Sequence, residues 1–149
     1  MTHATAMRAA AIEAHRAYPW GMKQARNPES IHAPVGRYVH QIEVSGESRT
    51  LFLSGQVGMR PDGSIPDDPV QQFAVCLENI LANLTAAAFE TTDLVKLTTY
   101  VVGSMDAPGR RAALDRVLGS HVTTSTLVYV AALAAPEYKV EVDAWAVRA

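Results

Sequence analysis

From Pro69 to Phe89 the apolar residues Phe73, Leu77, Ile80, Leu81, Leu84 and Ala88 recur at intervals of three and four. That spacing gathers them on one stripe of an amphipathic helix, and an apolar stripe has to be covered by another layer. Asp67, Asp68 and Pro69 mark its start, because aspartates favour the positive end of a helix and proline suits its first turn. Downstream the period changes to two. In "KVEVDAWAV", Val140, Val142, Ala144 and Ala146 alternate with Glu141, Asp143 and Trp145, so one strand face is wholly apolar and should meet the helix. A chain with both periods stacks helices on a sheet.

The remaining segments fill in that architecture. "GRYVHQIEVSGESRTLFLSG" predicts strands over Tyr38–Val44 and Thr50–Ser54, paired as a hairpin around Ser45, Gly46, Glu47 and Ser48. The β-branched run Thr92–Val102 is a strand, and Asp106–Gly119 a second helix with Ala113, Leu114, Val117 and Leu118 inward. Strands over Thr126–Leu133 and Lys139–Val147 close the chain. Strand, strand, helix, strand, helix, strand, strand is not the regular alternation of a doubly wound sheet, so the class is α+β, both helices on one face of a mixed sheet.

In "TLVYVAAL" both strand parities are apolar, which suits burial on both faces. Two helices cannot cover both, so a second subunit is expected and the protein should be an oligomer. Residues 1–21 are alanine-rich and read as an N-terminal extension, with a short helix over 4–16 stopped before Pro19; residues 22–149 form a single domain.

A net charge of −2 gives no basic footprint for a nucleic acid. The single cysteine, Cys76, permits no intrachain disulfide and sits at the edge of the helix stripe as packing. No Cys/His cluster has the spacing of a zinc site, and no run reaches the ~18 apolar residues of a membrane span. A cytoplasmic protein with no metal, membrane or nucleic-acid partner is the expectation.

Taken together, "GRYVHQIEV", "LFLSGQVG", "PDGSIPDDPVQQFAVCLENILANLTAAAF", "DLVKLTTYVV" and "APEYKVEVDAWAV" resemble the Rid family, the reactive intermediate deaminases, also called YjgF-like and formerly endoribonuclease L-PSP. The likeness runs in order from Met22 to Arg148. It implies a chorismate-mutase-like fold, a homotrimer with clefts between subunits, and hydrolysis of a small enamine or imine to a keto acid and ammonia without metal or organic cofactor.

It also implies roles for particular residues. Tyr38 matches a tyrosine that lines the cleft, although Arg37 stands where a proline commonly precedes it. Ser54 and Gly55 match a Ser-Gly pair in the cleft wall, and Glu141 matches the glutamate that positions the attacking water. Aligning "TTSTLVYVAAL" on its apolar strand puts Ser125 where active members carry an arginine that grips the substrate carboxylate with two prongs. A hydroxyl cannot replace that fork. Arg37 and Arg111 are the cations proposed to substitute, and Phe89 and Glu90 stand where many members end the first helix with glycine. Three readings follow: a divergent imine hydrolase, a non-catalytic trimer binding a small ligand or a protein, and, on the older family name alone, a ribonuclease.

Overall fold

The structure, a computed structural model, describes residues 22–149; the helix expected over 4–16 lies outside them. Strands β1 (Met22–Arg26) and β2 (Gln41–Ser45) form an antiparallel pair. A mixed four-stranded sheet follows, built from β3 (Arg49–Val57), β4 (Leu94–Val102), β5 (Thr124–Val130) and β6 (Val140–Arg148) in the order β3-β6-β4-β5. β6 runs antiparallel to both neighbours, and β4 and β5 are parallel. Parallel neighbours need a crossover, and helix α2 (Ala107–Leu118) provides it.

Helix α1 (Pro69–Ala86) begins as its sequence dictates, with the Asp68 carboxylate accepting from the Gln71 amide at 3.1 Å. Phe73, Leu77, Ile80 and Leu84 of α1 and Ala113, Leu114 and Leu118 of α2 share one core with Val140, Val142, Ala144 and Ala146, each of the last four 0% exposed. The alternation in β6 therefore identified the covered face, and both helices lie on it. Buried Gln72 stitches the layers together. Its Nε2 donates to the carbonyls of Pro66 (2.7 Å) and Glu137 (2.9 Å), and its Oε1 accepts from the amides of Lys139 (2.8 Å) and Val140 (3.3 Å).

Four expectations need correction. β2 and β3 follow each other closely but lie in different sheets rather than pairing as a hairpin. β2 starts at Gln41, because the Val39 amide is taken by the Thr123 carbonyl at 3.1 Å and Tyr38 closes a turn on Gly36. β3 does not end at Ser54; it continues to Val57 through a bulge between Leu53 and Gln56. β5 spans Thr124–Val130 rather than Thr126–Leu133 and lies at the sheet edge, where within one chain Val128 and Tyr129 are 38% and 61% exposed. The polar strand β1, unread in the sequence, is held by the Lys23 ammonium, which bonds Asp93 Oδ1 at 3.1 Å and the Thr92 and Val147 carbonyls at 2.9 Å.

Candidate functional site

The sheet face turned away from the helices carries the polar side chains. Strand register sets them in rows: Lys96 lies between Trp145 and Thr124, Thr98 between Asp143 and Thr126, and Tyr100 between Glu141 and Val128. Phe52 continues the first row, its ring edge-to-face with Trp145 at 4.9 Å. A cavity of about 710 Å³ opens there, with Ser54, Gly55, Lys96, Thr98, Thr124 and Asp143 in its wall.

At the β3 bulge the Glu141 carboxylate lies against Gly55, one of the wall residues. A Cβ placed on Gly55 would fall 1.7 Å from Glu141 Oε1, so the carboxylate occupies space that any other residue type would fill. The backbone of Gly55 is not in the left-handed region, and room alone requires glycine here. Among the described residues the Glu141 carboxylate has no hydrogen-bond partner. Its neighbour Asp143 accepts from the Tyr100 hydroxyl at 3.0 Å, and that bond, with some burial, raises the Tyr100 pKa. Burial first, and the Glu141 charge second, push the Cys76 thiol up to about 12, so Cys76 stays a thiol and serves packing as expected.

Tyr38, Arg37, Arg111 and Ser125 gather elsewhere, around a second cavity of about 260 Å³ that Arg110 also lines. Ser125 is opposite core Leu97, on the helix side of the sheet. Ser125 and Glu141 thus occupy opposite faces of one chain. Arg37 is engaged: its guanidinium pairs with Asp115 and donates to the carbonyls of Gly119 and His121, fastening the segment before β2 to the end of α2. The Tyr38 hydroxyl accepts from the Val35 amide at 3.3 Å.

Sequence reasoning missed Lys96, Thr126 and Arg110. Thr126, next to Ser125, is on the Glu141 face, and the Lys96 ammonium donates to its hydroxyl at 2.5 Å. The signal was present in "KLTTYVV", where Lys96, Thr98 and Tyr100 alternate with Leu97, Thr99 and Val101.

The profile of the family described as endoribonuclease L-PSP matches residues 29–148. The 2-iminobutanoate/2-iminopropanoate deaminase of Escherichia coli K12 is 30% identical over 124 residues, covering 80% of this chain and 94% of that protein. Among solved structures, a Rid-family protein of unknown function from Yersinia pestis, YyfB, superimposes with a TM-score of 0.74 at 28% identity, covering 83% of this chain and 97% of that one. Escherichia coli TdcF with bound serine gives 0.62 at 27% identity over 85% and 99% of the two chains. No helix among the described residues is long and apolar enough to cross a membrane.

Proposed function

The chain belongs to the endoribonuclease L-PSP family, which includes reactive intermediate deaminases, and from that premise we propose that it hydrolyses a small enamine or imine to a carbonyl compound and ammonia. The observation that carries this reading is the Glu141 carboxylate, set against Gly55 beside the cavity without a hydrogen-bond partner among the described residues. A carboxylate so placed is available to a water.

Glu141 takes a proton from that water as its oxygen adds to the imine carbon, forming a carbinolamine. That proton passes to the nitrogen to complete the carbinolamine; Glu141 then relays the hydroxyl proton to the nitrogen as well, the C–N bond breaks as the C=O bond forms, and ammonia leaves with the carbonyl compound behind. Ser54 and Gly55 form the wall beside the reacting carbon. Tyr38, Arg111 and Ser125 come from the second cavity of a neighbouring copy in a homotrimer, so that each cleft combines two chains. Support for a composite cleft comes from the separation of the two residue groups within one chain. Arg37 lines the second cavity as a fastener, with its donors already committed to Asp115, Gly119 and His121.

The test is pyruvate release from 2-aminoacrylate generated from serine. The protein should accelerate it over buffer, and Glu141→Gln should remove about 10²- to 10⁴-fold of the acceleration. A rate equal to buffer would dispose of the hydrolase. The non-catalytic reading, favoured by the lack of a guanidinium at Ser125, then stands if the protein still binds keto acids. Ribonuclease activity has the net charge of −2 against it.

A further inference from the structure

We propose that Lys96 is the cation that holds the anionic end of the ligand in this cleft; the assignment rests on the hydrolase reading above. A small imino acid carries a carboxylate that has to meet a positive charge when it leaves water. Arg37 is consumed by Asp115 and two carbonyls, and Arg111, in the second cavity, could reach this cleft only from a neighbouring copy. Lys96 lines the same cavity as Ser54 and Gly55 and shares a sheet face with Glu141.

The placement also fits. Lys96 starts four residues along β4 from Tyr100, the register partner of Glu141, but its ammonium reaches forward to the Thr126 hydroxyl, level with Thr98. Two residues of strand, roughly 7 Å, then separate the ammonium from the Glu141 row. That interval holds a carboxylate, the carbon beside it and one water, which is the set a hydrolysed imino acid requires. Thr126 fixes the ammonium through one hydrogen bond and leaves its other donors for the ligand. Asp143 shares this face and opposes an anion, but the Tyr100 hydroxyl at 3.0 Å draws on its charge. A lysine is a point charge rather than a fork, so it grips a carboxylate without fixing its plane. The chain should therefore accept a wider range of small keto and imino acids than a two-pronged site would.

Equilibrium binding of 2-oxobutanoate and of its uncharged amide to the full chain and its variants tests this. Lys96→Met should weaken keto acid binding about ten- to a hundredfold and leave the amide unchanged. Lys96→Arg should recover most of the loss, and Thr126→Val, which releases the ammonium from its anchor, should cost a few-fold. Equal thermal unfolding of the variants shows that they are folded. If Arg111→Ala abolishes keto acid binding and Lys96→Met does not, the assignment is overturned. If wild type accelerates pyruvate release and Lys96→Met leaves its KM unchanged, Lys96 is excluded while the hydrolase stands. If wild type neither releases pyruvate faster than buffer nor binds the keto acid, both fall.

Discussion

Two glycines in "LFLSGQVG" meet different obstacles, and the difference predicts different failures. A Cβ on Gly55 would collide with Oε1, Cδ and Cγ of Glu141, the movable end of a flexible side chain. A Cβ on Gly58 would fall 2.6 Å from the backbone Cα of Gln72 and 2.5 Å from its Cβ, neither of which can swing aside. Gly55→Ala should therefore fold normally and displace the carboxylate. A misplacement of about 1 Å costs about 10²-fold in rate, with unfolding free energy altered by less than about 1 kcal/mol. Gly58→Ala should instead lose about 1–3 kcal/mol, because overpacking pushes α1 away from the sheet and strains the four hydrogen bonds of Gln72. Urea titration and the pyruvate assay, run on both variants, separate the two effects. Equal losses of stability in both would contradict the distinction.

At the scale of elements, the ends of α1 and β6 show what the sequence could and could not disclose. Both helices were legible because apolar residues at three and four have one solution, and their capping aspartates, Asp68 and Asp106, are local signals. The end of α1 was less legible. The helix stops at Ala86, and Ala88 takes the left-handed conformation at φ 58°, a role that suits glycine. Ala88→Gly should raise stability by about 1 kcal/mol, read as a higher Tm, and a lower Tm would show that the alanine methyl packs usefully. Just beyond, Asp93 joins three segments that share no sequence pattern: β1 through Lys23, the turn before β4 through the Glu90 amide at 2.9 Å, and β6 through Arg148 Nε at 3.1 Å. Because β1 is polar and held by these long-range bonds, nothing local announced it. Burial works to raise the Asp93 pKa, but the Glu90 amide and the Lys23 and Arg148 charges outweigh it and hold the carboxyl below the ordinary range. A folded pKa below the unfolded one means that the stabilisation is complete above about pH 4 and is lost as pH falls through the folded value. Asp93→Asn should cost about 1–3 kcal/mol at pH 7, with the gap to wild type closing on acidification below pH ~4. A gap independent of pH would mean the carboxylate charge contributes nothing.

For the whole molecule, the doubly apolar β5 predicts a covering subunit, and one chain by itself leaves large apolar side chains for such a subunit to cover. Phe52 and Trp145 are 64% and 49% exposed on the face opposite the helices, and Tyr129 on the edge strand is 61% exposed. Parity also assigns the faces of β4, through Leu97 and Val101 in the core, and β5 takes its faces from that register. This register separates Ser125 from Glu141 and puts Lys96 and Thr126 on the Glu141 face. That separation links assembly to chemistry. A large apolar side chain taken fully out of water contributes about 1.5–3 kcal/mol, so covering these three residues favours association. Sedimentation equilibrium should give three times the mass of one chain. Trp145→Glu places a carboxylate against Phe52, 4.9 Å away between ring centroids, and should shift the mass toward one chain while the helix signal in circular dichroism persists. If each cleft takes Glu141 from one copy and Tyr38 from the next, deaminase activity should fall with protein concentration as the variant dissociates. Activity that stays proportional to monomer concentration would place the whole site within a single chain, and the second cavity would then have no part in the reaction.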